Sequence, residues 1–130
     1  MKCQEDMHGS VVSEGMLRAF IEMDAVGPHL ARVRATNQRR RSLAREAITR
    51  SFPRGTHIGE PLGGYMLWVQ LPDSADLAQV KVRAREKGVV FCAGDVFFPA
   101  QAPGKFMRLN CAKASESELV RGLEILGAAI

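Results

Sequence analysis

Two periods of apolar residues divide this chain. From Glu14 to Asp24, Leu17, Phe20 and Ile21 recur at helical spacing, with Ser13 placed to cap the start. Gly27-Pro28 interrupts the run, and Pro28 suits the first turn of a second, longer helix that reaches about Ser51. On this helix Leu30, Val33, Ala44, Ala47 and Ile48 form an apolar stripe. Its middle is polar: Asn37, Gln38, Arg39, Arg40 and Arg41. That spacing suggests a helix packed at its two ends that passes a cleft or a partner at its centre. Phe52-Pro53-Arg54-Gly55 stops it.

Beyond Gly55 the helical period gives way to short apolar runs. Thr56 to Ile58 reads as a short strand, Glu60 to Gly64 as a turn, and Tyr65 to Leu71 as a strand. The last is apolar almost without alternation, which predicts cover on both faces. Ser74 is placed to cap a helix from Ala75 to Lys87, with Leu77, Val80 and Ala84 facing the core and Gly88 as a left-handed exit. Val89 to Cys92 reads as a strand, Gly94 to Pro99 as an irregular loop or short strand, and Lys105 to Cys111 as the final strand. Ser115 and Glu118 have capping-box spacing before a helix with Leu119, Leu123, Leu126 and Ile130 on one stripe. Helix, helix, strand, strand, helix, strand, strand, helix is the order of an α+β fold. It predicts a two-layer sandwich, a small and mostly antiparallel sheet covered by helices. Residues 1–12 read as a flexible lead-in and residues 13–130 as one domain.

Composition narrows the setting. A chain of 130 residues suffices for one core without covalent staples. No apolar run approaches the ~18 residues of a membrane span, and the polar start Met1-Lys2-Cys3-Gln4-Glu5-Asp6 is unlike a signal peptide. The cysteines Cys3, Cys92 and Cys111 are odd in number and form no Cys-x-x-Cys pair. A reducing, cytoplasmic setting is expected, with Cys92 and Cys111 as buried thiols. Net charge is +4, and between Arg32 and Arg54 stand eight arginines and one acid, Glu46. Such a cluster fits a nucleic acid, phosphates or an acidic protein surface, or else a solvated helix face, which the helical pattern favours.

Much chemistry is excluded. The chain has no dinucleotide or phosphate-loop glycine motif and no Gly-x-Ser-x-Gly elbow. His8, His29 and His57 are scattered, without acidic partners at metal-ligand spacing. What stands out is Arg108, one cation in the apolar strand Phe106-Met107-Arg108-Leu109-Asn110-Cys111. A cation there is costly unless an anion meets it. One reading pairs it with a local acid such as Glu60 or Asp95. The other makes it a fixed guanidinium that grips a ligand carboxylate through two parallel hydrogen bonds. The residues alone leave both open.

Four segments, in order, bring a family into view. His29-Leu30-Ala31-Arg32-Val33-Arg34, Gly63-Gly64-Tyr65-Met66-Leu67-Trp68-Val69-Gln70-Leu71-Pro72, Gly88-Val89-Val90-Phe91-Cys92-Ala93-Gly94-Asp95-Val96-Phe97-Phe98 and Phe106-Met107-Arg108-Leu109-Asn110 resemble motifs of fold-type I, pyridoxal-phosphate-dependent aminotransferases. The nearest subset is the group shared by 2-aminoadipate-type aminotransferases and the aminotransferase-like module of GntR-family, MocR-type transcriptional regulators. The resemblance covers about residues 13–130 and implies the C-terminal small domain of such a protein.

It further implies that the cofactor belongs to a large domain upstream, where the Schiff-base lysine lies. Lys2, Lys81, Lys87, Lys105 and Lys113 do not match that lysine's motif. The chain is therefore expected to be a truncated form, to hold no cofactor alone and to be inactive alone. Pyridoxal phosphate would serve the full-length protein, expected to be a homodimer. An amino acid or 2-oxo acid would be bound together with the missing large domain, and DNA only through an absent N-terminal domain. By position, Arg108 matches the arginine that grips the substrate α-carboxylate, and Gly64 the glycine that lets substrate approach the backbone. Gly63 serves the turn, and Gly94 and Phe97 shape the site. Three departures stand out: Cys92-Ala93-Gly94 replaces a proline-glycine pair, Asn37 replaces an aromatic residue, and Met23 to Gly27 is unlike the usual helix linker. A domain of this kind, on its own, is expected to expose apolar side chains near the first helix and around Gly63 to Tyr65. The alternative is a stand-alone basic module that binds nucleic acid or protein.

Overall fold

A computed structural model describes residues 9–130; most of the expected lead-in, with Lys2, Cys3 and His8, lies outside the described residues. The chain divides into two compact units, one up to Ala35 and one of Thr36–Ile130.

The first unit holds helix α1 (Val11–Glu22) and the first turns of helix α2 (Val26–Ser51). Ser10, not Ser13, caps α1: its backbone is extended, and its hydroxyl accepts a hydrogen bond from the Ser13 amide at 3.4 Å. Both serines are suitable caps, and the one at which the backbone leaves the extended region prevails. Pro28 falls in the first turn of α2, where its missing N–H costs nothing. The Phe20 ring meets His29 edge-on at 5.6 Å. No residue of α1 is buried, and Val12, Met16, Leu17 and Ile21 are all exposed. Leu30 and Val33 are exposed as well, so the two ends of the α2 stripe differ: only Ala44, Ala47 and Ile48 are buried.

The second unit carries the sheet. Strands β1 (His57–Ile58), β2 (Met66–Leu71), β3 (Cys92–Ala93) and β4 (Lys105–Asn110) lie in the order β1-β2-β4-β3, every pair antiparallel. Helices α3 (Leu77–Glu86) and α4 (Glu116–Ala129) complete the α+β arrangement expected from the element order. The core lies between one face of the sheet and the helices. Leu67, Val69, Leu71, Met107 and Leu109 bury against Ala44, Ala47 and Ile48 of α2, Val80 and Ala84 of α3, and Leu119, Leu123 and Leu126 of α4.

The expectation that β2 is covered on both faces does not hold. Its residues alternate between buried (Leu67, Val69, Leu71) and half-buried (Met66, Trp68, Gln70). Helices cover one face only. The other is shielded in part by its own aromatic side chains, which allows an apolar residue at nearly every position without a second helical layer. The cap of α3 also differs from the Ser74 reading: Asp76 Oδ1 accepts from the amides of Ala78 at 3.0 Å and Gln79 at 3.2 Å, so the helix starts at Leu77. Those bonds, the Gln79 amide first, hold the Asp76 carboxyl below its ordinary value. The exit at Gly88, φ +78°, and the Ser115–Glu118 capping box are as the sequence predicts.

Candidate functional site

The partly open face of the sheet is built by register. Trp68 on β2 stands opposite Arg108 on β4, and Arg108 stands opposite Cys92 on β3. Cross-strand partners share a face, so these three form one row across it. Phe106 stacks on Trp68 at 5.5 Å, and Phe98 lies 5.4 Å from Phe106. After β3 the chain makes one short 3₁₀ turn, Gly94–Phe97, which lies close against the sheet. A Cβ at Gly94 would clash with Phe106 Cβ and reach Trp68 Cη2 at 3.0 Å, so only glycine permits that approach. The turn brings the Phe97 ring edge-on to Trp68 at 5.7 Å and over Arg108, whose Cζ lies 4.4 Å from the ring centroid.

Arg108 is half-buried. Neither local acid considered from the sequence is its partner. Glu60 pairs with Arg45 at 3.4 Å, and Asp95 is exposed and forms no ion pair among the described residues. Among the described residues the Arg108 side chain makes no ion pair and no hydrogen bond, so its contact with Phe97 leaves its guanidinium N–H donors unused. It borders two hollows. The larger, about 920 Å³, runs from β4 between the Val89–Cys92 segment and α4, with Lys113 and Glu118 on its wall. The smaller, about 250 Å³, lies between Arg108, Trp68 and the Gly59–Pro61 segment.

Gly64 is not brought into contact with Arg108, and it lines neither hollow. It sits in the β1–β2 loop at φ +77°, where a side chain is strained, and no atom lies within 4 Å of where a Cβ would be. Its carbonyl accepts a hydrogen bond from Arg41. Leu62 and Tyr65 flank it with exposed apolar side chains, in the region where the sequence led us to expect them.

The basic cluster of α2 has a use that the sequence did not disclose. Arg40 Nη1 donates to three carbonyls after β4: Cys111 at 3.3 Å, Ala112 at 2.8 Å and Ala114 at 2.7 Å. Arg45 donates to the Gly59 carbonyl at 3.2 Å, Arg39 pairs with Glu116 at 2.7 Å, and Arg50 with Glu124 at 2.6 Å. With Arg41, and with Arg32 beside His29 Nδ1 at 3.4 Å, six of the eight arginines are engaged inside their own unit. The polar centre of the helix thus fastens the β1–β2 loop and the turn after β4. Such engagement leaves few free cations for a nucleic acid, whose affinity scales with the phosphates neutralised. Cys111 lies under this array, and burial pushes its thiol up to about 11 although Arg41 and Arg40 pull the other way. No group of His, Cys, Asp and Glu suited to a metal ion occurs among the described residues, and none of their helices is long and apolar enough to cross a membrane.

No family model matches the chain. Individual proteins do. It is 26% identical over 122 residues to an uncharacterized aminotransferase of Saccharolobus solfataricus, covering 94% of this chain and 30% of that protein. It is 27% identical over 127 residues to the uncharacterized HTH-type transcriptional regulator YdfD of Bacillus subtilis, covering 98% and 26%. Among solved structures it superposes on the α-aminoadipate aminotransferase LysN of Thermus thermophilus with a TM-score of 0.88, at 24% identity, covering 98% of this chain and 33% of that one. The chain spans less than a third of the length of the curated relatives it matches. Its homologues are thus aminotransferases, those for 2-aminoadipate and aromatic amino acids among them, and HTH-type transcriptional regulators, and its fold is that of the fold-type I aminotransferase small domain.

Proposed function

We propose that this chain is the substrate-carboxylate-binding small domain, over residues 13–130, of a pyridoxal-phosphate-dependent aminotransferase or of a MocR-type regulator with an aminotransferase-like module. The observation that carries the reading is Arg108. The residue is half-buried, its guanidinium lies over the Phe97 ring, and it has no acid partner among the described residues. A planar cation with in-plane donors to spare matches a carboxylate in two parallel N–H···O bonds. Gly64 would leave the loop backbone open to the same ligand. In this reading an amino acid or 2-oxo acid binds with its carboxylate on Arg108 and its remaining atoms toward a large domain. A two-point grip fixes the rotation of the bound acid as well as its position, and such positioning can lower a barrier by several kcal/mol. The same reading places the protein in the cytoplasm and makes the full-length form a homodimer, with any DNA contact made by another domain.

Pyridoxal phosphate, where bound, supplies the electron sink for amino-acid chemistry. The described residues of this chain do not by themselves fit that group. Its aldehyde needs an amine enclosed beside it, and Lys81, Lys87, Lys105 and Lys113 all stand exposed. Only Lys113 lines the cavity that Arg108 borders. We therefore assign the chain a part in substrate orientation and none in holding the cofactor.

Trp68, the one tryptophan and the cross-strand neighbour of Arg108, provides the test. Its fluorescence should respond to L-norleucine at millimolar concentration and not to L-norleucinamide, which lacks the carboxylate. Arg108→Leu should weaken the response at least ~10-fold, the scale of a lost charge-assisted hydrogen-bond pair. Joined to a large domain, the same substitution should raise the KM for amino acids. An equal response to the amide, or from the Leu variant, overturns the reading.

A further inference from the structure

We propose that Phe97 is the positioning residue of Arg108: its ring fixes the plane of the guanidinium and leaves the hydrogen-bonding edge free for a carboxylate. The inference rests on the carboxylate reading of Arg108 and adds how the cation is held ready.

A half-buried arginine can be held in two ways. An acid partner holds it through its N–H donors and neutralises its charge, which uses up what a carboxylate ligand needs. An aromatic ring holds it through its face. The ring quadrupole attracts the cation, while the donors, which lie in the guanidinium plane, stay unused. Arg108 is held in the second way, with Cζ 4.4 Å from the Phe97 centroid and no acid partner among the described residues.

The ring is itself supported. Phe97 meets Trp68 edge-on at 5.7 Å, and Trp68 stacks on Phe106 at 5.5 Å. The turn that carries Phe97 reaches the sheet because Gly94 has no side chain to strike Phe106. Trp68 and Phe106 sit on the two central strands, so the chain of contacts runs from the sheet to the ring to the cation. Phe97 is 44% exposed, far more than a core phenylalanine needs to be. Its ring serves a neighbour at the surface more than it serves the core.

The test uses the full 130-residue chain labelled with ¹⁵N, with L-norleucine as the probe. In the unsubstituted chain the Arg108 Nε–H proton should be displaced by the ring current of Phe97, and should move on addition of the probe. Phe97→Leu should abolish that displacement and weaken the probe about five-fold, with the unfolding midpoint little changed because the site is exposed. Phe97→Tyr should restore both the displacement and the affinity. Full affinity in Phe97→Leu, or a failure of Phe97→Tyr to restore it, overturns the inference and leaves the carboxylate reading standing. No probe-dependent change in the unsubstituted chain overturns both.

Discussion

The two faces of the sheet are written by alternate residues of the same strands, yet they obey different rules. On the helix-covered face Leu67, Val69, Met107 and Leu109 fill a dry core in which every neighbour is apolar. On the other face Trp68, Phe106, Arg108 and Cys92 are only half-buried, and a cation is tolerated because a ring covers it. One residue of shift along β4 separates Met107 from Arg108, and with it the closed core from the partly open face. The covered face tolerates no change of volume, because its side chains interlock and a deletion leaves a void. The open face should tolerate change in the folded chain, and under the proposed carboxylate grip such change should show in binding instead.

The largest expected effect breaks that comparison if it fails. Met107 is fully buried, and Met107→Ala should destabilise the chain by about 2–5 kcal/mol, the range for large-to-small changes in a closed core. Its neighbour Arg108→Leu should cost no more than about 1 kcal/mol, the scale of a partly exposed cation–π contact. Urea unfolding of the two variants side by side is the measurement. Equal losses would mean that Arg108 is a structural residue and that the two faces are alike.

The next effect concerns what ties the loops to the sheet. Arg40→Met keeps the aliphatic stem but removes the donor shared by the Cys111, Ala112 and Ala114 carbonyls. With water able to replace part of that contact, a loss of about 1–3 kcal/mol is expected. Hydrogen exchange should rise at the turn after β4 and not at the helix-covered centre of β2. A uniform rise through the sheet would show that Arg40 supports the whole core and not one loop.

How much of this was legible in the sequence follows from the range of each signal. Periodicity is local, so the helices, the strand order along the chain and the capping box of α4 could be read from spacing alone. The choice between Ser10 and Ser13, or between Ser74 and Asp76, could not be made that way. Both members of each pair can cap, and the winner is set by where the backbone bends. Arg108 could be picked out because a cation among Phe106, Met107, Leu109 and Cys111 violates the pattern around it. Phe97 could be read only as shaping the site, since a 3₁₀ turn has no period and its ring meets Arg108 across eleven residues of chain. The arginines of α2 were visible as charge and hidden as contacts. Arg40 and Arg41 bond to backbone carbonyls, which every residue carries, so no acid in the sequence marks where they go. The even apolar run of β2 misled for a related reason. It records hydrophobicity and says nothing of whether helices or rings provide the cover.

The smallest effect sharpens the comparison at the end of the covered layer, where α4 begins. Glu118 Oε2 accepts from the Ser115 amide at 2.8 Å and from the Ser115 hydroxyl at 2.6 Å. Those bonds, the side-chain one first, hold the Glu118 carboxyl below its ordinary value of 4.5. A carboxylate whose folded value lies below its unfolded one stabilises the fold above the unfolded value and loses that contribution as pH falls through the folded value. Ser115→Ala should therefore lower the melting temperature at pH 7, and the gap to the parent chain should narrow as pH drops below about 4.5. The Asp76 cap of α3 is held low chiefly by the Gln79 amide and owes nothing to Ser115, so part of the acid sensitivity should survive in the variant. If the gap persists unchanged at low pH, the Ser115 hydroxyl acts through the Glu118 amide alone, and its own bond to the Glu118 carboxylate contributes nothing to the anchoring of α4.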